Sequence, residues 1–394
     1  MEDTVTSSTT SGNSTLGSRV LRGTVVTPGG VIEDGVVEVT GDRITAVRPA
    51  AEGDPAAEVA GGYLLPGLVD LHNHGGGGAS FTTADAGQVA TAAAHHLARG
   101  TTSLIASAVT DTPARMIAAV TALADAVDAG LLAGIHIEGP FLAAARCGAQ
   151  DPRYLLPPDA GLAWELVAAG RGHVRVMTIA AELSGADAVA AQLAAAGVTV
   201  ALGHTAASAS ITRAFLATGH VGLVTHLFNG MPPVHHRSPG PAVAALAAAA
   251  AGQVTAELIG DGVHLDDETV RAALTLTCGN AVLVTDAMAA AGMPDGTYDL
   301  GPQSVEVRDG TARLVGGGSI AGGTSDLLGQ VRRHAAAGLP LPSLLHAAAR
   351  RPAVVLGRND IGALEPGRRA DLIVADVNLA AVRVMRAGEW TPRE

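Results

Sequence analysis

The chain has 394 residues, of which 48% are hydrophobic, and this is enough for a large buried core. Its net charge of −12 and its aromatic content of only 2% argue against nucleic acid or an anionic membrane surface as partners. It contains no uninterrupted apolar stretch of about 18 residues, the length that a membrane-spanning helix requires.

The first segment, residues 1–17, is rich in Ser, Thr and Gly and lacks both a basic region and an apolar stretch. These features predict a disordered tail rather than a signal peptide, and therefore a cytoplasmic protein. The two cysteines, Cys147 and Cys278, have no paired spacing, which indicates reduced thiols and agrees with that location.

Short β-type runs separated by Gly and Asp turns follow at residues 18–62, and the last segment, residues 356–394, has the same pattern. We expect the two ends to pair into one small β-sandwich domain. Residues 63–355 instead alternate short apolar runs with alanine-rich helical patterns. Continuous apolar runs are typical of parallel strands that are buried on both faces.

Eight such runs predict an α/β fold, a (β/α)₈ TIM-like barrel interrupted by a β-hairpin insert near residues 297–315. The catalytic residues of such barrels lie at the carboxyl ends of the strands. The predicted strands are residues 68–72, 103–108, 134–138, 174–179, 198–204, 222–226, 256–261 and 282–286.

Side chains that can bind a metal recur where the predicted strands end. His72 and His74 project to the same side of a strand, because alternate residues share a face. Glu138, His204 and His226 end three further strands. A divalent ion takes imidazole nitrogen and carboxylate oxygen and leaves one position for water. A lone histidine at a strand end is more often a structural polar residue, but several at neighbouring strand ends indicate one metal site.

Two more residues belong to this pattern. Asp286 ends the last predicted strand, which barrel closure places beside the first, so it can accept a proton from water and deliver it to a leaving amine. His136 faces the same way as Glu138, and we expect it to support a metal ligand by a hydrogen bond rather than bind the metal. All 25 basic residues are Arg, which excludes a carbamylated lysine between two ions and leaves Glu138 as the candidate bridge.

Longer segments surround these residues: PGLVDLHNHG at 66–75, GIHIEGPFL at 134–142, LGHT at 202–205, THLFNGMPP at 225–233, GDGVH at 260–264, VTDA at 284–287 and GALEPGRRADL at 362–372. With these motifs the sequence resembles the amidohydrolase superfamily, and within it the N-acetylglucosamine-6-phosphate deacetylases, over about residues 20–390. The motifs at 66–75 and 362–372 are general to the superfamily, whereas EGPF and HLFNGMPP are specific to these deacetylases.

The resemblance implies a divalent metal held by Glu138, His204 and His226. Zinc is the first expectation, with iron, manganese or cobalt as alternatives. Some members replace one or both residues of the first His-x-His and carry one ion. This chain keeps both, so one or two ions per subunit remain open. The resemblance also implies that Asp286 acts as general base and then as general acid.

For the substrate, the resemblance implies a sugar phosphate, contacted by Asn229, Gly230 and the loop at Ile320. It implies a phosphate site at Arg237 and His264, one of which could reach across a homodimer interface. An Arg fork suits phosphate, and Arg237 lies in a loop rich in Gly and Pro, although a loop Arg can also be a surface charge.

One departure concerns the polarisation of the acetyl carbonyl. Many members have a histidine after the EGPFL segment for this purpose. A gap-free count puts Gln150 there, next to Ala149. Its amide can donate a hydrogen bond but cannot carry a charge.

The predicted function is hydrolysis of N-acetylglucosamine 6-phosphate to glucosamine 6-phosphate and acetate, in amino-sugar catabolism. The alternatives are the same reaction on N-acetylgalactosamine 6-phosphate, or another amide hydrolase of the superfamily. From a different class, the chain could be a catalytically silent sugar-phosphate binder. A missing metal ligand or a missing Asp286 would have favoured that reading, and neither is missing.

Overall fold

The computed structural model describes residues 17–316 and 318–392, so the predicted tail lies outside the described residues except for its last residue. The strands are β1 (Ser18–Thr27), β2 (Gly30–Thr40), β3 (Arg43–Pro49), β4 (Val59–Pro66), β5 (Leu68–Asp70), β6 (Gly75–Gly76), β7 (Ala79–Ser80), β8 (Thr101–Ala108), β9 (Gly134–Glu138), β10 (Val174–Ile179), β11 (Thr199–Leu202), β12 (Val221–Val224), β13 (Thr255–Ile259), β14 (Ala281–Val284), β15 (Gly296–Leu300), β16 (Gln303–Arg308), β17 (Thr311–Leu314), β18 (Leu372–Ala375), β19 (Ala381–Arg386) and β20 (Glu389–Trp390).

The helices are α1 (Ala86–Ala98), α2 (Pro113–Asp128), α3 (Ala160–Ala169), α4 (Ala186–Ala195), α5 (Ala209–Ala217), α6 (Gly240–Ala250), α7 (Asp267–Leu276), α8 (Leu327–Ala336), α9 (Leu341–Leu345) and α10 (Arg351–Val355). Short 3₁₀ helices span Ala144–Arg146 and Pro152–Tyr154, and a π-helical turn spans His346–Arg350. Across the ranges that the structure describes, no helix has both the length and the apolar character needed to cross a bilayer.

The centre of the molecule is a parallel barrel, as predicted. Its strands pair in the order β5-β8-β9-β10-β11-β12-β13-β14, and a helix lies between each pair of successive strands. All residues of β8, β9, β13 and β14 are buried, as expected for parallel strands that are covered on both faces. Several helices begin at an acidic or hydroxyl cap, such as Asp85 before α1 and Asp326 before α8.

The barrel closes between β14 and β5 through the residues that follow these two strands. The Asp286 N–H donates to the His72 carbonyl at 2.9 Å, and the His74 N–H donates to the Ala287 carbonyl at 2.7 Å. This seam brings the first and the last predicted site segments together.

The two ends of the chain form one seven-stranded sheet, in the order β20-β19-β18-β4-β1-β2-β3, where the sequence predicted the β-sandwich domain. The sheet has a core of its own, which includes Leu21, Val37, Ile44 and Leu372. Strand β4 leads from this sheet into the barrel through Gly67, where a Cβ atom would collide with the side chain of Thr102. The domain boundaries drawn from the sequence remain a proposal.

The insert predicted as a hairpin near residues 297–315 has three antiparallel strands, β15 to β17, instead of two. Its apolar side chains pack with Val109 and Met288, beside the loops at the carboxyl ends of β8 and β14. The insert therefore brings Leu300, and the loop after β17 that contains Ile320, to the mouth of the barrel.

Candidate active site

A cavity of about 250 Å³ opens at the carboxyl ends of the barrel strands. His72 and His136 lie deeper and are fully buried. The predicted site residues that line the cavity are His74, Glu138, Ala149, Gln150, His204, His226, Asn229, Gly230, His264, Asp286 and Ile320.

Three of these residues, which the sequence placed at the ends of strands, lie in the loops that follow the strands. His204, His226 and Asp286 come two residues after β11, β12 and β14, with φ angles of 46°, 27° and 46°. The sequence prediction extended these strands too far, because an apolar run does not reveal where the backbone turns. A positive φ is uncommon for a residue other than Gly and costs on the order of 1–3 kcal/mol, and such backbone often occurs at functional sites.

Glu138 lies between two groups of imidazoles. Its Oε1 atom is 3.0 Å from Nε2 of both His204 and His226, and these two nitrogens are 3.1 Å apart. Its Oε2 atom is 3.2 Å from Nε2 of His74, which is 3.1 Å from Nε2 of His72. Each group therefore brings three potential metal ligands within reach of one ion.

Hydrogen bonds at the Nδ1 atoms of two of these rings fix their tautomers. His204 Nδ1 lies 2.8 Å from the Arg146 carbonyl, and His74 Nδ1 lies 3.0 Å from the Ser107 carbonyl. A carbonyl oxygen only accepts, so each Nδ1 carries a proton. In the neutral rings the Nε2 atoms then present lone pairs to Glu138, and a cation between them removes the repulsion. The donor set fits a divalent metal.

The electrostatics of the site favour the same conclusion. Burial lowers the pKa of His74, but its contacts with Asp286 and Glu138 outweigh burial and raise that pKa to about 9. Burial also opposes ionisation of Glu138, yet the neighbouring histidines keep its pKa well below the usual carboxyl range. A field that stabilises a proton at this position also stabilises a divalent cation.

Asp286 faces the cavity at the end of the barrel seam. Its Oδ1 atom is 3.2 Å from His74 Nε2 and 3.3 Å from His72 Nε2. Burial raises the pKa of Asp286, but the charge of His72 and the contact with His74 outweigh burial and lower it below the ordinary value. The side chain is therefore a carboxylate and can accept a proton.

Gln150 is held in place on the cavity wall by two hydrogen bonds. Its Nε2 atom donates to Glu138 Oε2 at 2.6 Å, and its Oε1 atom accepts from the Thr110 N–H at 2.8 Å. One amide hydrogen thus orients the shared carboxylate, a role that sequence reasoning missed. Polarisation of a substrate carbonyl by Gln150 stays a prediction.

His136 is fully buried beneath the two groups of potential metal ligands, on the side away from the cavity. Its Nδ1 atom is 2.9 Å from Ser107 Oγ and its Nε2 atom is 2.8 Å from Thr178 Oγ1. With both nitrogens engaged, His136 is not free to bind a metal. It contacts the ring of His72 edge-on at 4.5 Å, instead of donating a hydrogen bond to it.

His264 enters the cavity from the loop after β13. Its Nδ1 atom donates to Asp261 Oδ2 at 2.8 Å, while Asp261 Oδ1 accepts from the backbone N–H groups of Val263 and His264. Burial lowers the pKa of His264, but the hydrogen bond to Asp261 and the negative charge of Asp261 outweigh burial. The pKa of His264 is therefore raised above its ordinary value.

We expect the Asp261→Asn variant to lose stability in a pH-dependent way. Because the pKa of His264 is raised in the folded protein, its ion pair with Asp261 contributes fully to the free energy of unfolding below the pKa of His264 in the unfolded chain, about 6.5. That contribution is lost as the pH rises through the pKa of His264 in the folded protein. The lowered pKa of Asp261 means that its own contribution is lost only in acid. Urea unfolding across pH should show the largest difference from wild type between about pH 4 and 6.5. A difference that does not change with pH would contradict this account.

Arg237 does not line the cavity. It lies on an exposed loop before α6, with Nη1 2.7 Å from His236 Nε2. Among the described residues around the cavity there is no arginine, so His264 is the basic side chain there, apart from the metal-capable histidines, that could face a phosphate. The predicted phosphate role of Arg237 therefore stays a prediction.

Fold and site together define a class: a parallel α/β barrel whose strand ends gather side chains able to hold a divalent metal beside a carboxylate base. The Amidohydrolase family matches residues 63–391, and the chain belongs to this family.

Several relatives are named deacetylases. The chain is 31% identical over 357 residues to the N-acetylglucosamine-6-phosphate deacetylase of Caenorhabditis elegans, covering 85% of this chain and 84% of that protein. It is 33% identical over 376 residues to the N-acetylgalactosamine-6-phosphate deacetylase of Escherichia coli O157:H7, covering 93% and 97%.

A solved structure is also similar over nearly the whole chain. It is that of a Mycobacterium smegmatis N-acetyl-D-glucosamine-6-phosphate deacetylase variant in complex with N-acetyl-D-glucosamine-6-phosphate. It has a TM-score of 0.91 and 42% identity, and the match covers 95% of this chain and 99% of that one. The family resemblance predicted from the motifs is confirmed.

Proposed function

We propose that the protein hydrolyses the acetamide group of N-acetylglucosamine 6-phosphate and releases glucosamine 6-phosphate and acetate. The observation that carries the proposal is the Glu138–His204–His226 group beside Asp286 in one cavity. The 42% identity to a protein whose structure contains this substrate supports the choice of sugar.

We propose zinc as the metal, with iron, manganese or cobalt as alternatives. A metal held by Glu138, His204 and His226 would polarise the acetyl carbonyl and lower the pKa of the attacking water. Asp286 accepts the proton of that water through its carboxylate and then delivers it to the amine nitrogen as the C–N bond breaks. The hydrogen bond from its backbone N–H to the His72 carbonyl, at 2.9 Å, holds the residue at the barrel seam for both transfers.

Two features of the cavity support binding of a polar sugar. Asn229 Nδ2 is buried and has no hydrogen-bond partner among the described residues, so a sugar hydroxyl or phosphate oxygen would satisfy it. Gly230 has a φ of 61°, and a Cβ atom there would lie 3.0 Å from His204 Nδ1. Glycine therefore suits this position, and its backbone lines the cavity with no side chain of its own.

We propose that the enzyme is a homodimer in the cytoplasm. A phosphate group needs more positive charge than His264 alone provides. Arg237 lies on an exposed loop, from which it could reach the phosphate site of a second copy of the chain. The free thiols of Cys147 and Cys278 suit a reducing compartment.

The test measures acetate release from N-acetylglucosamine 6-phosphate, N-acetylgalactosamine 6-phosphate and unphosphorylated N-acetylglucosamine, with and without a chelator. We expect turnover of the first sugar that the chelator abolishes and added zinc restores, with the plain sugar a poor substrate. Preference for the galactosamine epimer would favour the second candidate function, which the E. coli relative suggests. No turnover of any sugar by metal-loaded protein would overturn both.

A further inference from the structure

Glu257 is a buried carboxylate that neither the motifs nor the proposed mechanism assigns. It lies in the middle of β13, and its exposed fraction is 0%. Its Oε2 atom accepts from His72 Nδ1 at 3.1 Å and from the backbone N–H of His226 at 3.1 Å. One oxygen therefore contacts a residue from each of the two metal-capable groups. The sequence hint was an acidic residue between the apolar residues Ala256 and Leu258 in a predicted strand.

The contacts of Glu257 engage one of its two carboxylate oxygens. Within the described ranges its ion-pair partner is His72, and its Oε1 atom has no hydrogen-bond partner. Burying a carboxylate costs several kcal/mol unless a positive charge is close. A hydroxyl group could satisfy the His226 N–H without that cost, so support of the backbone alone does not explain an acid at this position.

A metal on the other side of His72 accounts for the carboxylate. The bond to Glu257 keeps a proton on Nδ1 of His72, so Nε2 presents its lone pair toward His74, 3.1 Å away, and toward Glu138 Oε1, 3.7 Å away. An acid that accepts from the far nitrogen of a metal-binding histidine fixes its tautomer, raises its basicity and shares the charge of the ion.

We infer that Glu257 is a positioning residue that holds His72 as a metal ligand. It acts through the imidazole and does not touch the substrate. The inference rests on the proposed function for the presence of a metal, and it adds an ion at the His72–His74–Glu138 group. It concerns ion binding and not the identity of the sugar. It predicts that Glu257 controls metal affinity at the His72–His74–Glu138 group more than at the Glu138–His204–His226 group.

The test is a double-variant cycle on metal affinity. Full-length protein is stripped with a chelator and titrated with Co²⁺, and binding is followed by the visible absorption of the ion and by metal analysis. We expect Glu257→Leu to lower the affinity for the more weakly bound of two Co²⁺ ions by about 10–100-fold. This is the usual effect of removing a residue that hydrogen-bonds a metal ligand. In a His72→Ala background the same change should cost less than about threefold, since Glu257 acts through His72.

Two further variants separate positioning from folding. Glu257→Gln keeps an acceptor oxygen and should recover part of the affinity lost in Glu257→Leu. Gln330→Leu is the matched control, because Gln330 is equally buried and bonds the Gly260 N–H and the Val284 carbonyl without contacting a proposed ligand. It should lower the unfolding temperature and leave Co²⁺ binding unchanged.

The outcomes are distinct from those of the deacetylase assay. Equal effects of Glu257→Leu in the wild-type and His72→Ala backgrounds would overturn the inference, as would wild-type Co²⁺ affinity and absorption in Glu257→Leu. Failure of the protein to deacetylate any of the three sugars, with the Co²⁺ results as expected, would overturn the proposed function and leave the role of Glu257 intact.

Discussion

We expect the Asp286→Asn variant to lose about 10²–10⁴-fold in kcat for deacetylation, the usual contribution of a positioned general acid–base. The amide has the shape of the carboxylate but accepts a proton far less readily, so both proton transfers lose their carrier. Asp286 contacts His74 and His72 at 3.2 and 3.3 Å, and the amide can keep contacts with these rings. The ligands around Glu138 are unchanged, so the variant should retain its metal.

The measurement is steady-state acetate release together with metal content of the same preparation. A variant that keeps its metal and substrate affinity but loses kcat supports the assignment. Near-normal kcat would remove Asp286 from the mechanism, and loss of metal would instead make it a ligand. Asp326→Asn is a control of the same chemistry, since it changes the cap of α8 away from the cavity and should leave kcat unaffected.

The barrel could be predicted because its strands are buried on both faces. Every residue of β14 is buried, and its sequence AVLV is a continuous apolar run of the kind that alternates with helical patterns along the chain. The seven-stranded sheet was foreseeable from the similar β-type runs at the two ends of the chain. The metal-capable residues stood out because polar side chains that follow apolar runs are conspicuous.

Other features depend on contacts between residues far apart in the sequence. Nothing local shows that Gln150 donates to Glu138, or that Glu257 meets His72, which lies 185 residues away. The turns at His204 and His226 escape prediction because non-glycine residues rarely adopt positive φ. Strand β17 is short and only partly buried, so its pattern did not separate it from a loop.

The closure of the barrel between β5 and β14 was predicted, but the side chains that complete it were not, and Asp70 lies at their centre. This carboxylate is fully buried. Its Oδ2 atom accepts from Thr285 Oγ1 at 2.6 Å and from Asn73 Nδ2 at 3.1 Å, and its Oδ1 atom accepts from the Thr285 N–H at 3.2 Å. Asp70 therefore links the strand that leads to His72 with the strand that leads to Asp286.

We expect Asp70→Ala to lower the free energy of unfolding by about 2–5 kcal/mol, since each buried donor left without an acceptor costs about 1–3 kcal/mol. The variant should also lose activity, because displacement by about 1 Å of a catalytic group can cost 10²-fold. Urea unfolding of metal-free protein measures the first effect without contribution from metal binding. Asp85→Ala, which removes the exposed cap of α1, should cost only about 1 kcal/mol.

The comparison of the two variants decides what closes the barrel. If Asp70→Ala were no less stable than Asp85→Ala, the backbone hydrogen bonds from Asp286 to His72 and from His74 to Ala287 would suffice to hold the seam. A large loss specific to Asp70→Ala means that side chains complete a closure that the strands leave unfinished. The geometry between His72 and Asp286 would then depend on a residue that touches neither metal nor substrate.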